Sequence, residues 1–173
     1  MVSKYINGVV MIEKNDKRSE QGSNAMEIRQ YKPGDKLKKQ IEDHIRENLG
    51  VGGELVELIE ISDQRYADQI MVANEIATGR FLQDANTQKA RVTERTPTGS
   101  QTIEYCPIFV TQLGITTPKD KTTPKPHIAI QRNEHAKPHE FRLARKYIME
   151  QTNKVLEMFD RPTLNLKDPS ELQ

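Results

Sequence analysis

Three histidines in the second half of the chain, His127, His135 and His139, are of the type and spacing that can hold a metal. His135 and His139 stand four apart, the interval that sets two ligands on one helical face. Pro138 lies between them and, lacking an N–H, is favoured at the first helical position, so His135 falls before the helix. A site built from His127, His135 and His139 with Glu134 or Glu140 would need three or four convergent ligands. It would suit a small metal-dependent hydrolase. The opposing reading is surface or capping histidines in a basic loop.

Other chemistry is weaker. Cys106 precedes Pro107 in an apolar stretch and reads as a buried small hydrophobe, because a reactive thiol needs a cation or helix N-terminus beside it. No G-x-S-x-G nucleophile elbow is present. Gly50-Val51-Gly52-Gly53 lacks both the Gly-Lys-Ser/Thr ending of a phosphate loop and a full dinucleotide fingerprint, so it reads as a helix stop and turn. Carboxylate pairs such as Glu57 with Glu60, or Asp63 with Asp68, are too common on helices to indicate glycoside hydrolysis. No cofactor is expected.

Charge is more informative. The formal net charge is +1, but the total hides a division. Across 51–88 two basic residues oppose seven acidic ones, a net of −5, and across 89–146 eleven basic residues oppose five acidic ones, a net of +6. Lys89, Arg91 and Arg95 alternate along one extended run and so share a strand face. Arg142, Arg145 and Lys146 share a helix flank near an N-terminus, where the macrodipole disfavours cations. These six are the expected contacts for an anionic partner, either nucleic acid or the acidic surface of another subunit. The bland alternative is a solvated surface neutralised from within the fold. Aromatic interleaving for single strands is thin, with no Trp and only Tyr105 and Phe109 near the basic run.

Periodicity supplies the elements that would carry these residues. Val9–Ile12 is a short strand, and the polar stretch Glu13–Asn24, which overlaps the linker-like 22–25, reads as an extended arm before a domain start near Met26. Asp35 is the expected N-cap of a helix with Leu37, Ile41, Ile45 and Leu49 on one face, stopped by Gly50. Glu54–Ile61 is too densely apolar to separate strand from buried helix. Ser62 or Asp63 caps a second helix carrying Tyr66, Ile70, Ala73, Ala77 and Phe81. Lys89–Arg95 and Gln101–Cys106 flank Thr96–Ser100 as an antiparallel hairpin. Ile108–Val110 and His127–Ile130 are extended, separated by an irregular loop over Thr116–Pro126. A last helix starts at Pro138, buries Phe141, Ala144, Ile148, Val155 and Phe159, and stops by Pro162.

The expected fold is α+β: a small antiparallel sheet including the hairpin, packed on two or three helices. Residues 1–25 form the arm, 26–162 the domain and 163–173 a polar tail. Among 173 residues, 35% are hydrophobic and about 23% are Leu, Ile, Val or Phe, enough for a modest core. No apolar run approaches the ~20 residues of a membrane span, and the first residues lack a signal-peptide pattern. The lone cysteine excludes an intramolecular disulfide scaffold and fits a reducing compartment. The leading expectation is a non-catalytic structural or adaptor subunit of a multi-subunit assembly, such as a viral (phage) particle. It would lie in the cytoplasm or virion, away from membranes, and associate with itself or other subunits. A nucleic-acid-binding module and the histidine-ligated hydrolase are the alternatives.

Overall fold

The computed structural model describes residues 4–6, 9–13 and 28–172. Residues 14–24, the linker 22–25, the expected domain start at Met26, and Gln173 lie outside the described residues. The fold is α+β, as the periodicity predicts. Among the described residues six strands form one sheet: β1 (Lys4–Ile6), β2 (Val9–Glu13), β3 (Ile28–Tyr31), β4 (Gly53–Ile61), β7 (Ile108–Thr116) and β8 (Lys125–Asn133). Their spatial order is β1-β2-β7-β8-β4-β3, antiparallel throughout except for the parallel β2–β7 pair. The remaining strands, β5 (Ala90–Thr96) and β6 (Gly99–Tyr105), make a separate two-stranded sheet. The hairpin therefore differs from the expectation in one respect: it does not join the main sheet.

Alternation along the central strands sends neighbouring residues into opposite layers. Leu58 and Ala129 pack with Leu37, Ile41 and Ile45 of α1 (Asp35–Leu49) on one face. Ile59, Ile61, Ile128 and Ile130 pack on the other, against α2 (Gln64–Gln83) and α3 (Pro138–Met158). This two-sided burial explains why β4 is unreadable by period, since a strand covered on both faces is apolar at consecutive positions. A register shift between Leu55 and Glu57 adds a bulge to it. The helices α2 and α3 run antiparallel, as the bonds Arg80 Nη1 to Gln151 Oε1 (2.8 Å) and Tyr66 Oη to the Pro162 carbonyl (2.8 Å) require.

Helix ends follow the sequence closely but not completely. Gly34, rather than Asp35, is the N-cap of α1, with Asp35 in its first turn. Gly50 closes that helix at φ 70°, a left-handed conformation that glycine reaches without a Cβ clash. Asp63 caps α2 by accepting from the Arg65 N–H. Pro138 opens α3, and Phe141, Ala144, Ile148 and Val155 are buried as expected, whereas Phe159 lies past the helix end and is exposed.

Two terminal segments depart from the sequence reading. Val9–Glu13 is more than part of an arm: it pairs in parallel with β7 and buries Ile12. At the other end the polar tail is seated on the body, with Leu164 buried and bracketed by both amide atoms of Asn153. Among the described residues, no helix is long and apolar enough to cross a membrane.

Candidate functional site

The hairpin is built by strict one-to-one pairing, from Ala90↔Tyr105 to Thr96↔Gly99, around the two-residue loop Pro97-Thr98. Its base is fixed to the body. Ala90 is buried, Tyr105 stacks on His135 with ring centroids 4.7 Å apart, and Asn133 Nδ2 donates to the Cys106 carbonyl at 3.3 Å. Beyond the base both strands are largely exposed, including Arg91, Thr93, Arg95, Ser100, Thr102 and Glu104.

The expected basic face of this hairpin is not realised as a field. Arg91 Nε donates to Glu104 Oε2 at 3.0 Å, directly across the pair, which contributes a few tenths of a kcal/mol at such an exposed site. Between Ala90 and Tyr105, Arg91 and Arg95 are balanced by Glu94 and Glu104. Lys89 precedes β5 and turns to the body, where its Nζ donates to the Asp84 carbonyl and Thr87 Oγ1, both at 3.0 Å. The projecting part is thus polar and neutral.

The second expected group, Arg142, Arg145 and Lys146, divides. Arg145 is buried rather than presented to an outside anion. Its Nε donates to Glu57 Oε2 at 2.6 Å, and its Nη2 to Glu57 Oε1 and the Lys167 carbonyl, both at 3.1 Å. Glu57 is completely buried on β4. Gln30 of β3 completes the network, donating from Nε2 to Glu57 Oε1 (2.7 Å) and the Lys167 carbonyl (2.8 Å), and accepting the Lys167 N–H at 2.8 Å. A buried charge needs both an opposite charge and filled hydrogen-bonding positions, and this arrangement supplies them from β3, β4, α3 and the tail. The only sequence signal is a carboxylate inside the run Leu55–Ile61, which holds both Glu57 and Glu60, and the structure buries Glu57 completely.

Arg142 and Lys146 remain at the surface. They line an open cleft of about 710 Å³ between α3 and the tail, beside Phe141, Met149, Leu164 and Leu166. Neither has an ion pair among the described residues. Asp168 and Glu150 share this cleft. The Asp168 carboxyl is held below its usual range mainly by the Ser170 N–H and hydroxyl, with smaller contributions from Arg145 and Arg142.

The three histidines do not converge. His127 is buried at the start of β8, its Nδ1 2.8 Å from the Lys125 carbonyl and its ring edge-on to Tyr31. The strand then carries the chain roughly 20 Å away by Asn133, at about 3.3 Å per residue. His135 stacks on Tyr105, and His139 is exposed in the first turn of α3. The candidate ligands His127, His135 and His139 are therefore not brought together, and among the described residues no group of three or more His, Cys, Asp or Glu side chains could hold an ion. Cys106 is half-buried, and burial pushes its thiol up despite opposing contributions from the Ile108 backbone and Lys89. A raised thiol is the reverse of what a nucleophile needs.

In comparisons with known proteins, no family model, no curated protein and no solved structure matches this chain.

Proposed function

We propose that this chain is a non-catalytic structural or adaptor subunit of a multi-subunit protein assembly, such as a viral (phage) particle, acting in the cytoplasm or in the virion. The β5–β6 hairpin is its contact arm. The observation that carries this reading is that, among the described residues, the seven-residue strands pair only with each other and stand exposed beyond their base. A two-stranded hairpin is marginally stable in water and gains independent stability from a third strand or a packed face. Neutral charge and threonine-rich strands suit contact with protein more than with phosphate.

Replacing Ala90–Tyr105 by a short Gly-Ser turn tests the reading. The shortened chain keeps its main sheet and loses association. A shortened chain that associates as the full chain does removes the hairpin from the contact.

A nucleic-acid-binding module is the second reading, favoured by Arg142 and Lys146, which line the cleft and form no salt bridge among the described residues. Such binding falls steeply with salt, because phosphate contacts release counterions. No measurable affinity for duplex or single-stranded DNA or RNA at low salt eliminates it.

A further inference from the structure

Hairpin geometry determines which backbone groups face outward. The Thr96↔Gly99 pair closes a two-residue loop and exchanges its backbone bonds. Opposite residues alternate between bonded and non-bonded pairs. Gln101, Ile103 and Tyr105 therefore turn their N–H and C=O groups toward β5, while Ser100, Thr102 and Glu104 turn theirs away from it. By the same alternation Arg91, Thr93 and Arg95 turn theirs outward from β5.

The two edges, unpaired among the described residues, are not equivalent. The outer edge of β5 carries Arg91, Glu94 and Arg95 in seven residues, and charged side chains are a common guard against edge pairing. The edge of β6 carries Glu104 alone and no proline. Residues 99–102 and 104 are exposed, so side chains of the described residues do not cover it.

We propose that β6 pairs edge to edge with β6 of a second copy of this chain, antiparallel about a two-fold axis at Thr102, to make a four-stranded sheet. The assignment rests on the assembly reading above and names its partner. About that axis Thr102 faces Thr102 of the second copy, and Ser100 faces Glu104 of the second copy. All are outward-turned residues, so the ladder closes with about six backbone bonds. Directly opposite residues share a face, and paired threonines are favourable while like charges are not. The equivalent β5 pairing about Thr93 sets Arg91 opposite Arg95 of the second copy twice. Charge therefore selects β6.

Proline substitution separates the two edges without cutting the hairpin, because neither Thr93 nor Thr102 donates its N–H to the β5–β6 ladder. Sedimentation velocity of the full chain is compared with Thr102→Pro and Thr93→Pro. Thr102→Pro weakens association about a hundredfold, since both central bonds are lost and each is worth about a factor of ten. Thr93→Pro leaves association unchanged. In the associated unsubstituted chain, amide exchange at Ser100, Thr102 and Glu104 is slower than at Arg91, Thr93 and Arg95. Equal loss in both variants, loss with Thr93→Pro alone, or unprotected β6 amides overturns the pairing. Association that survives both substitutions overturns it too but leaves the assembly reading in place. A full chain that is monomeric at every concentration removes both.

Discussion

Arg145→Met leaves the chain with a completely buried, uncompensated Glu57. The magnitude follows from the geometry. Arg145 supplies two hydrogen bonds to that carboxylate and one to the Lys167 carbonyl. Breaking a buried pair by removing one partner costs about 3–5 kcal/mol, against a total stability of about 5–15 kcal/mol for a typical domain. In a chain of this length that lowers the melting temperature by about 6–20 °C. Methionine retains much of the arginine stem, so lost packing is a minor part. The assay is thermal and urea denaturation of the single variant, of Glu57→Leu, and of the Arg145→Met/Glu57→Leu pair. Replacing both members by apolar residues is often near neutral, so the double variant recovers most of the loss. An Arg145→Met change below ~1 kcal/mol, the scale of exposed charges, refutes the reasoning and returns Arg145 to the surface. A double variant worse than the sum of the singles refutes the assignment of the penalty to an orphaned carboxylate.

Burial holds the His44 imidazole below its ordinary pKa of 6.5, with Glu47 opposing. Below pH 6.5 the unfolded chain takes up this proton more readily, so stability present above that pH is lost as pH falls. Denaturation midpoints of His44→Leu are expected to be flatter over that window; an unchanged slope refutes the assignment. Ile148, at the centre of the α3 face, is fully buried, and Ile148→Ala destabilises by about 2–5 kcal/mol in urea unfolding. Ile12→Ala falls in the same range of about 2–5 kcal/mol if β2 is an integral strand, whereas a dispensable arm shows no change in the same curves. Gly53→Ala brings a Cβ onto the Arg132 carbonyl where β4 meets β8, and amide exchange there accelerates.

Local elements were legible because their signals are local. The four-residue spacing of Leu37, Ile41 and Ile45, the Asp63 cap and the Pro138 start each state a helix within a few residues. The hairpin was legible from its turn. Sheet order was not, since β4 lies between β8 and β3 through contacts far apart in sequence, and no period encodes them. Val9–Ile12 was legible as a strand from its apolar run, but its parallel pairing with β7 was not, because the two strands lie far apart in sequence. Arg145 was misplaced for a physical reason: one turn of helix puts Arg142, Arg145 and Lys146 near one another, but only a facing carboxylate decides which turns inward. Glu57 carried that information and, read as half of an ordinary acidic pair, concealed it. The hairpin's charges sum to a positive total only if Glu94, on the same strand as Arg91 and Arg95, or the cross-strand Glu104 is left out.

The most direct test of the assembly account is the absolute molar mass of the purified full chain by light scattering, across concentration and at low and high salt. One chain weighs 19.9 kDa. The account predicts a mass that climbs with concentration toward at least twice that value, and that stays at the single-chain value when the hairpin is replaced. A constant 19.9 kDa for the full chain at every concentration and both salts contradicts it.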